Sequence, residues 1–192
     1  MSVNQTTSGS RQHGFVLVAS LLLLVVVTIM AVSMFRSSGM AERIAGNMRE
    51  KQRALQAAVS AQQYAEWWLA NGNASTGAVC SVLLNANANQ GQVCSNTLAA
   101  AVANIALVPW RINGADVGVT YTPPNMTVTQ NSAAGTYYQA PRFYISYLGA
   151  SAGGQGNVFQ IDAVGYGGGP DAVAVVESTY LIGGSVKNLG AL

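Results

Sequence analysis

The sequence predicts an α+β chain. One long N-terminal helix, apolar all round in its first half and amphipathic in its second, packs on an antiparallel β-sheet. Three observations carry this expectation. Phe15 to Phe35 is an apolar run with no charge, no Gly and no Pro. The polar sequence after it contains no Pro as far as Asn71 and is rich in Ala, Gln, Glu, Arg and Met, all good helix formers. From Gly114 onward the pattern changes to short alternating segments separated by Gly-rich links, which is strand-and-turn chemistry.

A helix over residues 15–35 spans roughly 30 Å, the thickness of a bilayer's hydrocarbon core. Three readings of this run present themselves. A secretory signal is one, since Ala31-Val32-Ser33 has the small-x-small form of a cleavage site. A fully buried soluble helix is another. A membrane anchor is the reading the pattern favours, because the helical sequence continues straight through the cleavage-like triplet and the run carries no charge. Residues 1–14 before it are polar and aperiodic, a leader or a disordered tail holding the chain's one histidine, His13.

Residues 36–71 continue the helix. Apolar side chains recur at Met40, Ile44, Met48, Leu55, Val59, Ala65, Trp68 and Leu69, mostly at intervals of 3, 4 or 7. Glu50 and Arg53 stand at the spacing of a helical ion pair. Gly39 and Gly46 each weaken the helix by about 1 kcal/mol relative to Ala and are the expected places for a bend. Asn71-Gly72-Asn73 is a helix-ending signal.

Residues 72–192 form the expected head. Cys80 and Cys94 are the chain's two cysteines. Two cysteines cannot build a structural zinc site, and this spacing is not that of a C-x-x-C redox motif. The pair points to a disulfide in an oxidising compartment, with two free thiols as the alternative. Leu98 to Leu107 reads as a short helix ended by Pro109, and Trp110 as a core residue. Asp116–Thr122 and Met126–Gln130 read as a hairpin around Pro123-Pro124-Asn125, followed by a loop over 131–141. Arg142–Leu148, Val158–Tyr166 and Ala172–Ile182 read as three stronger strands, and their short links favour an antiparallel meander. Phe143, Ile145 and Tyr147, with Phe159, Ile161 and Ala163, form its buried face, against the amphipathic helix. Residues 183–192 read as a loose tail.

Charge and composition exclude several classes. Charged residues make up 8% of the chain, against roughly a quarter in an average domain. The flank after the apolar run is basic, with Arg36, Arg43, Arg49, Lys51 and Arg53 against Glu42 and Glu50, which suits anionic lipid heads. No basic patch with interleaved aromatics indicates nucleic acid. No base stands near a nucleophile, so no catalytic residues are assigned. The Gly-rich segments 149–156 and 165–169 lack the Lys-Ser/Thr of a phosphate loop and read as turns. No metal site or cofactor is expected, and Asp162 reads as a solvent-facing strand position.

Arg11-Gln12-His13-Gly14-Phe15-Val16-Leu17, leading into an uncharged run and then an amphipathic helix, resembles the class III signal of type IV prepilins. Glu42 to Glu50 (ERIAGNMRE) is similar to the N-terminal signature of the PilX-type minor pilins. Pro141-Arg142-Phe143 and Glu177-Ser178-Thr179-Tyr180 are similar to that family's C-terminal part. The resemblance implies the type IV pilin-like fold, cleavage after Gly14 by a prepilin peptidase, and N-methylation of Phe15. It implies residence in the inner membrane as a single-pass protein with a periplasmic head, then incorporation into a pilus. The positive-inside rule argues the other way, placing the basic flank in the cytoplasm; leader, signature and closing strands together outweigh it.

Most pilins carry glutamate at the fifth mature position, where this chain has Ala19. In the family picture that carboxylate pairs with a neighbouring subunit's N-terminal amine, and an intramembrane carboxylate is costly unless paired. Its absence points to a subunit at the distal tip, with nothing above it; the alternative is an alanine tolerated anywhere in the fibre. The function expected is that of a minor pilin that primes pilus assembly and sits in the tip complex, supporting adhesion and twitching motility. Its partners would be other minor pilins and the major pilin. The alternatives are a tip adhesin for a surface receptor, a minor pseudopilin of a type II secretion system, and an ordinary membrane-anchored periplasmic protein.

Overall fold

The computed structural model describes residues 13–80, 91–112, 114–130, 135–183 and 187–191. The polar prefix 1–12, including Arg11 and Gln12, lies outside the described residues, as do parts of the expected loops and tail. Helix α1 runs His13–Trp68 and stays helical through Gly39 and Gly46, where bends were expected. The chain forms two compact units, Met1–Gly46 and Asn47–Leu192.

In the first unit the apolar side chains of α1 are exposed, Phe15 by 80% and Phe35 by 78%. Ser20 and Thr28 bond back to the helix. Ser20 Oγ donates to the Leu17 carbonyl at 2.9 Å and Thr28 Oγ1 to that of Val25 at 2.8 Å. A helix pairs its own backbone polar groups, as a hydrocarbon solvent requires.

In the second unit α1 ends where expected. A π-type turn over Leu69–Asn73 follows, and Gly72 takes φ +89°, a conformation glycine adopts at little cost. The remaining elements are β1 (Val93–Cys94), α2 (Leu98–Ala101), β2 (Arg111–Ile112), β3 (Ala115–Asp116), β4 (Val119–Thr120), β5 (Arg142–Ala150), β6 (Gly156–Tyr166), β7 (Val173–Gly183) and β8 (Lys187–Ala191). Among the described residues the main sheet has six strands. β5, β6, β7 and β8 form an antiparallel meander, while parallel β1 and antiparallel β4 share the outer edge of β5.

The three long strands and their alternation match the sequence expectation. Phe143, Ile145, Phe159, Ile161 and Ala163 are buried in one core that also contains Ala61 and Ala65 of α1 and Leu69 just after it. Tyr64 of α1 stacks on Tyr121 at 4.4 Å and meets Phe143 at 5.9 Å. Trp110 is buried, its indole N–H donating to the Ile105 carbonyl.

Five expectations are corrected. The expected helix Leu98–Leu107 is one turn, capped by Thr97 Oγ1, and Val102 is already extended at φ −126°, ψ 148°. The expected hairpin does not form. β3 pairs with β2, β4 pairs with β5, and Val128 bridges to Tyr137 instead, so tertiary partners win over the Pro-Pro-Asn turn. The tail is not loose over 187–191, where β8 adds to the free edge of β7. Asp162 is fully buried rather than solvent-facing, because the second face of the sheet is also covered. Finally, the side of α1 that meets the sheet is made of alanines. Ala54, Ala57, Ala58, Ala61 and Ala65 are buried, while Met48 is 60% and Leu55 46% exposed.

Candidate functional site

The alanine side of α1 has a geometric cause. A Cβ placed on Gly165 of β6 would lie 2.3 Å from the Ala54 carbonyl oxygen and 2.3 Å from the Ala58 nitrogen. Helix backbone and strand backbone therefore touch, which only glycine on the strand and small side chains on the helix permit. The larger apolar residues that share the helix, Met48, Leu55 and Trp67, are left on the outside.

Just below this contact a polar latch ties α1 to the β6–β7 turn. The Gly168 N–H donates to Glu50 Oε2 at 2.6 Å. Arg53 Nη1 reaches both Glu50 oxygens at 3.0 Å, in the ion pair expected from the spacing. Its Nη2 donates to the Thr136 carbonyl at 2.7 Å, and the guanidinium lies 4.5 Å over the Tyr137 ring. Lys51 Nζ donates to the Val173 carbonyl. The Gly168 N–H, with Arg53 beside it, holds the Glu50 carboxyl below its ordinary range.

A cleft of about 720 Å³ opens beside the latch, lined by Asn47, Met48, Glu50, Lys51, Gly169, Asp171 and Ala172. Glu50 and Lys51 are already committed to backbone partners there. Among the described residues no group of three His, Cys, Asp or Glu side chains is placed to hold a metal ion.

Cys80 and Cys94 are joined in a disulfide, with Cα atoms 5.4 Å apart. Asn96 holds the Cys80 backbone from both sides, its Oδ1 accepting the Cys80 N–H at 2.8 Å and its Nδ2 donating to the Cys80 carbonyl at 3.2 Å. Ala78 pairs with Cys94, so the bridge fastens the outer edge of the sheet. Gly14, Phe15 and Ala19 lie in the first two turns of α1. Ala19 lines a shallow groove of about 530 Å³ with Val16, Ser20, Leu23, Leu24, Val27 and Thr28.

The family model for the PilX N-terminal region matches residues 13–61, and that for the type IV pilus assembly protein PilX C-terminal region matches residues 66–182. The chain belongs to the PilX family. PilX-family chains are minor pilins of type IV pili, structural subunits rather than enzymes. No curated protein and no solved structure matches the chain. The two matches meet within the second half of α1, so both the exposed apolar helix and the head behind it carry PilX character. The latch residues Glu50 and Arg53 fall in the N-terminal match, and Gly165 and Gly168, which they and the alanines meet, fall in the C-terminal one.

Sequence reasoning missed the alanine contact, the role of Gly165 and the second, polar face of the sheet. The first had a readable signal, since Ala54, Ala57, Ala58, Ala61 and Ala65 recur at helical spacing; their low hydrophobicity hid them behind Met and Leu.

Proposed function

We propose that this chain is a minor pilin that primes type IV pilus assembly and remains in the tip complex. Prepilin peptidase cuts it after Gly14 and Phe15 is then N-methylated. Residues 15–35 hold it in the inner membrane, residues 36–71 extend the helix, and residues 72–192 form a periplasmic head. On assembly the apolar half of α1 leaves lipid for the helical core of the fibre, and the head docks on other minor pilins or the major pilin.

The observation that carries this reading is α1 itself in a PilX-family chain. Its apolar half is left unburied by the protein's own fold. So large an uncovered apolar surface needs lipid or other helices around it. Ala19 supports the tip position, since a carboxylate at that place would need an amine from a subunit above. The exposed Met48 and Leu55 in the second unit fit lateral contact with neighbouring subunits. The disulfide fits a head folded in an oxidising compartment.

N-terminal sequencing of the mature protein tests the processing step. A chain beginning at a methylated Phe15 is expected, and one that retains residues 1–14 overturns the prepilin reading. Deletion of the gene tests the rest. Loss of surface pili supports priming. Normal pili that fail to attach would favour a tip adhesin, and a secretion defect with intact twitching would favour a pseudopilin.

A further inference from the structure

The face of the sheet turned away from α1 carries polar groups that neither folding nor assembly explains. Register and alternation put them together. Asp162 of β6 stands between Tyr144 of β5 and Glu177 of β7, and the next rung on the same face is Ser146, Gln160 and Thr179. Asp162 and Ser146 are fully buried, and the Ser146 hydroxyl has no partner. Glu177 is half-buried. Two carboxyl groups therefore face each other directly across an antiparallel pair, an arrangement that is unfavourable when both are charged.

No counter-charge among the described side chains is paired with them. Around Asp162, β5 contributes Arg142, Tyr144 and Ser146. Arg142 lies opposite Val164, one rung away, and its guanidinium is paired with Asp116 at 3.2 Å. The Tyr144 hydroxyl donates away from the pair, to the Asn96 carbonyl, which is what the segment after β1 offers. From β6 the Gln160 amide reaches both Asp162 oxygens, at 3.2 and 3.3 Å, as a neutral donor. From β7 come Glu177 and Thr179. Among the described residues no basic side chain forms an ion pair with either carboxyl group.

We propose that Asp162 and Glu177 share one proton across the β6–β7 seam, and that losing it as pH rises loosens this part of the head. Asp162, the fully buried member, holds the proton and donates it to the half-buried Glu177. Burial first, and then the charge of Glu177, push the Asp162 carboxyl up to about 7, against the lowering effect of Gln160. A carboxyl raised in the folded state stabilises the fold most below its unfolded value of about 3.9. That contribution declines as pH rises from there to about 7 and is gone above it. The head is thus a stiffer body in mildly acidic surroundings than in neutral ones.

The test is thermal unfolding of the full chain in detergent from pH 4 to 8, with D162N and E177Q beside it. D162N keeps the shape of the side chain and removes the titration. The melting temperature of the natural chain is expected to fall relative to D162N by roughly 3 °C per pH unit between pH 4 and 7, then run parallel above 7. Curves that stay parallel throughout overturn the proposal. E177Q removes the opposing charge, so its decline should level off at a lower pH than in the natural chain; if D162N fails to fold, a decline in E177Q that runs to the same pH overturns the proposal instead. Amide exchange along β6 and β7 should quicken from pH 5 to 7.5 beyond the intrinsic rise, in the natural chain and not in D162N. Calcium added at pH 8 is the last arm. A melting temperature raised by millimolar calcium in the natural chain but not in D162N would make the pair a cation site and overturn the shared proton.

Discussion

Replacing Gly165 by alanine attacks the contact on which the head is built. The new Cβ would sit 2.3 Å from both the Ala54 carbonyl oxygen and the Ala58 nitrogen, and 2.9 Å from the Ala57 carbonyl carbon. Ordinary contact begins at about 3.5 Å, and all three neighbours are backbone atoms that no rotamer change can move aside. Helix and strand must therefore separate, or the strand must bend. Overpacking of this kind costs about 1–3 kcal/mol, and separating the buried alanines from the sheet adds to it. Removing a glycine from a strand returns about 0.5–1 kcal/mol through the unfolded chain. A net loss of about 2 kcal/mol lowers the melting temperature of a chain this size by roughly 4–8 °C. Thermal unfolding of the full chain in detergent, followed by circular dichroism, measures it. Gly169→Ala is the control, because a Cβ there meets nothing within 4 Å. If Gly165→Ala melts within about 1 °C of that control, the close backbone approach is not what seats α1 on the sheet.

Three further outcomes are expected. Glu50→Ala strips the Gly168 N–H and Arg53 of their acceptor and should cost about 1 kcal/mol, allowing for its partial exposure. Since Glu50 is held below its ordinary value of 4.5, the latch contributes fully above that pH and is lost as pH falls through the lowered value, so the variant and the natural chain should converge in acid. Amide exchange at Gly168 reports the latch directly. Replacing Cys80 and Cys94 together by serine opens a loop of about 15 residues and should cost on the order of 3 kcal/mol, with a reducing agent lowering the natural chain's melting temperature equally. Ala19→Glu places a carboxylate in the membrane segment at about 2.5–3.5 kcal/mol if no amine stands above it. Incorporation into sheared pili, measured by immunoblot, should then fall; incorporation equal to the natural chain counts against the tip position.

Much of the architecture was legible because its signals are local. The length and purity of the apolar run, the absence of Pro to residue 71 and the Asn71-Gly72-Asn73 stop set the course of α1. Period-two alternation set the buried face of β5 and β6. Residues 102–130 were misread for the opposite reason. The alanines around Val102 favour helix, yet the helix stops after one turn, and the short strands there exist only as pairs with distant partners, such as Val119 with Phe143.

Charge spacing showed that Glu50 and Arg53 would pair, but not that Gly168 and Thr136, more than 80 residues on, would complete the latch. Asp162 was misplaced because alternation tells which residues share a face, not whether that face is covered.

The sequence by itself determined a long helix with an uncovered apolar half, a meander of three strong strands and the motifs that mark the PilX family. Each of these follows from covalent order, through helix length, residue period and propensity. Only the tertiary structure decided which side of α1 meets the sheet. A helix surface is chosen by how closely two backbones can approach as well as by hydrophobicity, and Gly165 with five alanines approaches closest. It likewise decided that a buried Asp162 faces Glu177, since cross-strand register and burial belong to the packed sheet and to no single segment of the chain.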